Sequence, residues 1–245
     1  MTLARAPARR LSARRCTLVA MYVAETFASL QGEGILAGTP SFFIRTSGCN
    51  LRCRWCDTPH TSWLPEGTRR DVDDLVREAV ASGLRHCVVT GGEPLLQRSI
   101  APLTEALRGE GLSVTVETAG TVDPPLACDL LSVSPKTSSS DPPGAWRQRH
   151  ARTRSDLGPL RRLLDRFAEH QLKFVVVDGD DLPEILALLE SLGGVDRSRV
   201  LLMPEGRTAA EVAGRAAEVA ALCMQHGFRY TPRLQLDLYG GGRGV

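Results

Sequence analysis

Short apolar runs alternate with amphipathic stretches along most of the chain. Six of these runs predict β-strands, at residues 42–46, 86–90, 113–117, 130–134, 172–177 and 200–203. Their nearly continuous apolar character is typical of parallel strands that are covered on both faces. Repeated βα units of this kind predict right-handed crossovers within one parallel sheet.

The intervening helices have clear apolar stripes, which recur every three or four positions. The spacing predicts helices over residues 72–80, 182–192 and 208–226. Asp181 and Glu184 are placed as N-cap and capping-box partner of the second helix, and Thr208 and Glu211 as those of the third. About six βα units are fewer than the eight of a complete TIM barrel. We therefore predict an α/β fold, an incomplete (β/α)6 TIM-like barrel.

Two segments depart from this rhythm. Residues 137–158 are rich in Ser, Pro and Arg and predict a long loop or lid. Residues 1–20 contain five arginines and no acidic residue, and without them the net charge changes from +2 to −3. We predict that they are a basic tail outside the fold, either disordered or preceding a true start at Met21, although a transit peptide has the same composition. Residues 21–245 are then a single domain.

Composition narrows the class of protein. None of the apolar runs in these 245 residues is long enough for a membrane-spanning helix, so we expect no membrane partner. A net charge of +2 does not indicate a polyanionic partner, and only the tail favours nucleic acid. Seven cysteines, an odd number, argue against a complete disulfide framework and favour a reduced, cytoplasmic protein.

Three cysteines are crowded into one short segment: Cys49, Cys53 and Cys56. Thiolates are soft ligands that select zinc, copper(I) or iron–sulfur centres. Three ligands leave one iron of an iron–sulfur cube open to a cofactor or substrate. Alternatively, His60 could complete a Cys3His zinc site that stabilises a binding module.

Polar residues and glycines follow several predicted strands, where α/β folds place their sites. Gly91 and Gly92 would allow a ligand to approach the backbone closely. Lys136, one of only two lysines, ends another strand and is a candidate functional residue. Lys173, the other lysine, is expected to be a cap or edge residue unless it faces the barrel.

Before the cysteines, Gln31 and Glu33 place an amide and a carboxylate on a glycine-flanked turn. Such a pair is suited to a heterocycle with hydrogen-bonding edges. Arg45 can bind a substrate carboxylate by a forked hydrogen bond, unless it forms a salt bridge with a nearby acid.

The cysteine motif Cys49-x3-Cys53-x2-Cys56, with Trp55 before its last cysteine, resembles that of the radical S-adenosylmethionine (SAM) superfamily. More specifically, the chain resembles the 7-carboxy-7-deazaguanine synthases in ETFASLQGEG (25–34), FFIRTSGCNLRCRWCDT (42–58), TGGEP (90–94), ETAG (117–120) and SVSPK (132–136). A glycyl-radical-enzyme activating enzyme shares the cysteine spacing, but the LQGEG segment and Asp57-Thr58 argue against it.

The resemblance implies a radical SAM barrel that is a homodimer with a [4Fe-4S] cluster, SAM and Mg2+. It implies conversion of 6-carboxy-5,6,7,8-tetrahydropterin to 7-carboxy-7-deazaguanine with loss of ammonia, on a queuosine-type route to deazapurines. A 5′-deoxyadenosyl radical would abstract hydrogen, and a flavodoxin- or ferredoxin-type protein would donate the electron.

The resemblance also implies roles for individual residues. The substrate would be bound by Leu30, Gln31, Gly32, Glu33, Arg45 and Thr90. SAM would be bound by Gly92, Glu93, Glu117, Ser134, Pro135, Lys136, Met203, Pro204, Glu205 and Gly206. The cluster would be held by Cys49, Cys53 and Cys56, and Mg2+ by Thr58. Met203 stands where the family often has Gln, and the C-terminal segment, which contains Arg243, differs from that of better-known members.

Overall fold

The computed structural model describes residues 19–244, so most of the predicted basic tail lies outside the described residues. The strands are β1 Ala20–Leu30, β2 Pro40–Thr46, β3 Thr68–Asp71, β4 His86–Gly91, β5 Ser113–Thr118, β6 Leu130–Val133, β7 His170–Val176, β8 Val200–Pro204 and β9 Arg229–Tyr230. The helices are α1 Pro59–Ser62, α2 Val72–Ala81, α3 Ile100–Gly109, α4 Arg147–Ser155, α5 Gly158–Arg166, α6 Leu182–Leu192, α7 Ala209–His226 and α8 Leu234–Tyr239.

One sheet joins all nine strands in the order β3-β1-β2-β4-β5-β6-β7-β8-β9. Each neighbouring pair from β2 to β9 is parallel, whereas β1 is antiparallel to both β2 and β3. Within residues 19–244 the two edge strands do not pair, so the sheet is open. The six predicted strands correspond to β2, β4, β5, β6, β7 and β8, which confirms the incomplete barrel.

The sequence did not indicate β1, β3 or β9, of which β3 and β9 are the edge strands of the sheet. β1 is long, but half-buried positions dominate its second half, so it has no continuous apolar run. It is held by antiparallel pairing with β2, with Thr26 opposite Ile44 and Leu30 opposite Pro40. This pairing places the turn that follows β1 beside the start of β2, at the amino ends of the parallel strands.

The predicted helices are present, but only one of the two capping boxes is. The Thr208 hydroxyl accepts a hydrogen bond from the Glu211 amide at 3.2 Å, and the Glu211 carboxylate binds back to the Thr208 amide, as predicted. Asp181 does not cap α6. Its carboxylate instead accepts hydrogen bonds from the Thr137 hydroxyl at 2.7 Å and the Val177 amide at 2.8 Å. The predicted cap of α6 was therefore wrong, because more distant donors compete for this carboxylate.

The segment predicted as a long loop contains regular structure. Residues 137–158 include two 3-10 turns and the helix α4, and α5 begins at their end. Among the nine residues of α4 only His150 is buried. Because a helix with one buried residue has no apolar stripe, its periodicity could not be detected in the sequence.

The core consists of apolar side chains on both faces of the parallel strands, packed against helices such as α2, α3 and α6. Ile44, Val89, Val116, Leu131 and Phe174 are completely buried. This packing fixes the strand ends relative to one another. No helix within residues 19–244 is long and apolar enough to span a lipid bilayer.

Candidate functional site

A cavity of about 280 Å³ opens at the carboxyl ends of the parallel strands. It gathers residues from β1, β2, β4, β5, β6, β7 and β8, together with the C-terminal segment. The proposed site residues that line it are Leu30, Gln31, Gly32, Glu33, Arg45, Cys49, Cys53, Cys56, Thr58, Thr90, Gly92, Glu117, Ser134, Lys136, Met203 and Glu205. Side chains separated by more than 170 residues therefore share one cavity.

The three thiols lie on the loop that leaves β2. Gly48 has a φ of +99°, which a side chain would disfavour, and this turn directs the chain into the loop. Burial raises the pKa of Cys49 to about 12 and that of Cys53 to about 11. All three cysteines are free of disulfide bonds. The loop thus presents unpaired, largely dry thiols to one cavity.

The alternative zinc site finds no geometric support. In the part of the chain that the structure describes, no three His, Cys, Asp or Glu side chains are placed to hold a single metal ion. His60 lies beside Glu25 instead, with 3.8 Å between its Nε2 and Glu25 Oε1.

The donor set fits an iron–sulfur cluster. Three soft ligands face one cavity, and within residues 19–244 no other cysteine lines it. One iron would then be available to a small-molecule ligand. The buried Nε1 of Trp55, also in the lining, has no hydrogen-bond partner among the described residues, so it is a donor available to a bound ligand.

Glu33 is the centre of the polar end of the cavity. Its carboxylate accepts hydrogen bonds from Lys173 Nζ at 2.5 Å, Gln235 Nε2 at 2.6 Å and Arg233 Nε at 3.3 Å. Burial by itself raises the pKa of Glu33, but the positive charges of Lys173 and Arg233 and these hydrogen bonds outweigh it and lower the pKa to about 2. Glu33 is therefore ionised at neutral pH.

A second carboxylate, Glu117, lies beside this group. It accepts hydrogen bonds from Gln31 Nε2 at 3.1 Å and from the Thr90 hydroxyl at 2.9 Å. Lys173 Nζ is 3.7 Å from its Oε1, so the same ammonium lies near both carboxylates. Lys173 is only 4% exposed and faces the cavity, which corrects the expectation of a cap or edge residue.

Arg45 lies on β2 at the same end of the cavity. Its Nε donates to Glu25 Oε1 at 2.7 Å, so the salt bridge considered from the sequence is present. The guanidinium also lies 5.5 Å from the centre of the Phe27 ring. Arg45 lines the cavity, and its contacts with Glu25 and Phe27 orient its remaining N–H donors.

Lys136 and Ser134 occupy the side of the cavity near the cysteines. Lys136 Nζ donates to the Ser134 hydroxyl at 2.7 Å and lies 5.6 Å from the centre of the Trp55 ring. The Thr58 hydroxyl donates to Asp57 Oδ1 at 3.3 Å. These groups place one positive charge and several hydroxyls close to the thiol loop.

Four proposed cofactor residues are not part of the lining: Glu93, Pro135, Pro204 and Gly206. Glu93 is fully buried and accepts hydrogen bonds from the Thr118 hydroxyl and from the Leu95 and Ala119 amides. Burial raises its pKa despite these donors. Its carboxylate joins the ends of β4 and β5, so it supports the cavity from behind.

Sequence reasoning missed Arg233 and Gln235, which lie at the start of α8. Arg233 is 4% exposed and binds the Asp57 carboxylate and the Gly206 carbonyl as well as Glu33. The only sequence feature that pointed to Arg233 was its position in the C-terminal segment, which differs from that of better-known family members. Arg243 lies outside this group, in an exposed pair with Glu66.

The chain is similar to known proteins along most of its length. The family model of the radical SAM superfamily matches residues 43–192. A 7-carboxy-7-deazaguanine synthase from Halobacterium salinarum is 47% identical over 234 residues, which cover 90% of this chain and 91% of the relative. One from Rhodopirellula baltica is 43% identical over 235 residues, 94% of this chain and 91% of the relative. The crystal structure of QueE from Escherichia coli has a TM-score of 0.65 at 26% identity, covering 86% of this chain and 93% of that one.

Proposed function

The chain belongs to the 7-carboxy-7-deazaguanine synthase family of the radical SAM superfamily, and on that premise we propose that it converts 6-carboxy-5,6,7,8-tetrahydropterin to 7-carboxy-7-deazaguanine with loss of ammonia. The observation that carries the proposal is one cavity lined by two different kinds of group. Three thiols line it together with the carboxylates Glu33 and Glu117 and their donors. This composition favours a small heterocyclic substrate over the protein backbone on which a glycyl-radical activating enzyme acts.

Cys49, Cys53 and Cys56 would hold the [4Fe-4S] cluster, and the residues near them would bind SAM. When bound, the cluster supplies the electron for reductive cleavage of SAM, which leads to hydrogen abstraction from the substrate. Lys136 places a positive charge where the carboxylate of an amino-acid moiety can pair with it. Apolar side chains in the lining, including Leu51 and Met203, would exclude water from the reacting groups.

The polar end suits the substrate ring and its carboxylate. Glu33 and Glu117 accept N–H donors, and Gln31 can both donate and accept. Arg45 and Lys173 provide positive charges for the substrate carboxylate. Because Glu33 has a pKa of about 2, it remains an acceptor throughout the neutral range. A bound ring would therefore be oriented by preformed charges on several strands.

Mg2+ would be held through the hydroxyl of Thr58. Mg2+ prefers oxygen ligands and keeps several waters or substrate oxygens in its shell. A single protein hydroxyl at the edge of the cavity is consistent with that preference. We propose that the ion joins Thr58 to the substrate carboxylate and so orients the ring for rearrangement.

The remaining proposals concern the setting of the reaction. We propose that the protein is cytoplasmic, because the thiols of the cluster loop must stay reduced. We also propose that it is a homodimer, as the family resemblance implies. A flavodoxin- or ferredoxin-type protein would supply the electron. The product would enter a route to deazapurines such as queuosine.

Anaerobic reconstitution and turnover test this function. The protein is incubated with dithionite, SAM, Mg2+ and the carboxypterin, and the deazaguanine acid is detected by mass spectrometry. Cys56→Ala should lose iron and product, whereas Cys128→Ala, which alters a thiol outside the cavity, should retain both. Release of deoxyadenosine without the acid would reject the substrate but keep the superfamily chemistry. Full activity of Cys56→Ala would reject the cluster.

A further inference from the structure

Helix α4 carries an unusual concentration of positive charge. Its nine residues include Arg147, Arg149, Arg152 and Arg154 and no acidic residue. The first three are exposed, whereas Arg154 is paired with Asp141 at 2.6 Å. The chain without residues 1–20 has a net charge of −3, so this cluster is local and does not reflect a basic protein. We call Arg54, Arg147, Arg149 and Arg152 the basic surface.

The helix is fastened directly to the cysteine loop. His150 accepts a hydrogen bond on Nδ1 from the Arg52 amide at 3.0 Å, and its Nε2 bonds the Ser140 hydroxyl at 2.9 Å. The Ser140 carbonyl accepts from the Arg54 amide at 3.0 Å. Trp146 lies under the Arg52 guanidinium, with 4.5 Å between guanidinium carbon and ring centre. The single buried residue of α4 therefore serves to join this helix to the loop.

The basic surface lies on the side of the loop away from the cavity. Cys49, Cys53 and Cys56 line the cavity, but Arg52 and Arg54, which alternate with them in sequence, do not. Arg54 follows Cys53 directly and is exposed. SAM and substrate would thus occupy the inner side of the cluster, while the outer side is exposed and positively charged. Arg54 and Arg147 also line a groove that contains Asp141, Asp178, Asp180 and Asp181, so acidic side chains limit this surface on one flank.

We propose that the basic surface is the docking site of a small acidic one-electron carrier protein that reduces the cluster. The inference rests on the proposed function, since it requires a redox cluster at the cysteine loop. One electron leaves the reduced carrier, which is thereby oxidised, and enters the cluster, which is reduced by one electron. Encounters of this kind are weak and brief, and complementary charge determines their rate and orientation. The position behind the ligands keeps the transfer distance short and leaves the cavity free for SAM.

The test measures cluster reduction without any pterin. Reduced bacterial flavodoxin is mixed anaerobically with the reconstituted full-length enzyme, and the absorbance of the cluster is followed by stopped flow. The double variant Arg149→Glu/Arg152→Glu should be reduced at least about tenfold more slowly at low ionic strength, and the difference should shrink as salt is added. Reduced methyl viologen, a cation that the basic surface does not attract, should reduce the variant at least as fast as the parent enzyme.

A matched variant isolates position from net charge. Arg85→Glu/Arg229→Glu makes the same charge change at exposed sites at the amino ends of the parallel strands, where β4 and β9 begin. It should be reduced by flavodoxin within about twofold of the parent rate, since steering depends on local charge. If charge reversal on α4 impairs folding, Arg149→Gln/Arg152→Gln should show an intermediate slowing with normal iron content.

Three results would overturn the proposal. Equal slowing of the two double variants would show a non-specific charge effect. Slower reduction by reduced methyl viologen as well would show that the arginines only maintain the loop. An unchanged flavodoxin rate in Arg149→Glu/Arg152→Glu would show that the carrier docks elsewhere. Because pterin is absent, failure of the parent enzyme to form the deazaguanine acid rejects the proposed substrate without altering this measurement.

Discussion

Lys173 donates a hydrogen bond of 2.5 Å from its Nζ to Oε2 of Glu33, although 140 residues separate them in sequence. Both side chains are largely buried, with 6% and 14% of their side-chain surface exposed. The pair connects β7 to the turn after β1, two elements that lie on different sides of the cavity. It therefore holds the turn after β1 against β7 and also fixes two charges that would face the substrate.

Removing the ammonium should destabilise the protein. Lys173→Met leaves the buried Glu33 carboxylate with only Arg233 and Gln235, and we expect a loss of about 3 kcal/mol of unfolding free energy. Because the Glu33 pKa is lowered from 4.5 to about 2, the stability that it contributes is present above pH 4.5 and is lost as pH falls through 2. Chemical denaturation at pH 7 measures the loss, and the KM for carboxypterin should also rise.

Arg162→Met is the matched control for this variant. It opens an ion pair with Asp123 at 2.6 Å, but the arginine side chain is 59% exposed. Solvent screens such pairs, so the midpoint of unfolding should hardly change. A similar loss in both variants would contradict a special role for the buried pair.

Gly92 is expected to tolerate no side chain. A Cβ at this position would lie 2.6 Å from the Thr61 carbonyl oxygen and closer still to that of Gly48. Gly92→Ala should cost about 1–3 kcal/mol and lower iron incorporation, because the displaced Gly48 precedes Cys49. Gly109→Ala, where nothing lies within 4 Å, should leave stability and iron content unchanged or slightly raised. Equal iron content in the two variants would contradict this account.

The hydrogen bonds of His150, which join α4 to the cysteine loop, should be lost in acid. Burial lowers the pKa of His150 from 6.5 to about 4, with Asp141 opposing and Arg154 and Lys136 adding to the shift. The unfolded chain therefore binds the proton first, so the stability from His150 is complete above pH 6.5 and falls as pH approaches 4. The loss at pH 4 is about 3 kcal/mol. The unfolding free energies of the parent and of His150→Asn are measured from pH 7 to pH 4, and their difference should shrink by this amount. A difference that stays constant with pH would contradict the role of His150.

Thr58 is expected to determine the requirement for Mg2+. Thr58→Val removes the hydroxyl while keeping the shape, and should raise the Mg2+ concentration for half-maximal turnover by about tenfold or more. Thr58→Ser, which retains the hydroxyl, should restore the parent value. Initial rates across a Mg2+ titration compare the three proteins, and an unchanged requirement in Thr58→Val would remove Thr58 from the ion site.

Sequence reasoning was successful where the determining interactions are local. The six parallel strands were recognisable because strands covered on both faces need continuous apolar runs. The capping box of Thr208 and Glu211 was predicted because both partners lie within one helical turn. The prediction for Asp181 failed because its donors come from Thr137 and Val177, and the pattern near a helix start cannot reveal such competition.

The amino-acid sequence by itself determined the order of the βα units, the cysteine loop and the polar residues at the strand ends. Each of these depends on neighbouring residues and on the right-handed crossover between parallel strands. Only the tertiary structure decided that Lys173 faces Glu33, that Arg233 returns from the C-terminal segment to the cavity, and that His150 holds α4 against the cysteine loop. These contacts join residues 98 to 200 positions apart. No local spacing specifies them, because burial and charge pairing select them once the sheet has brought distant segments together.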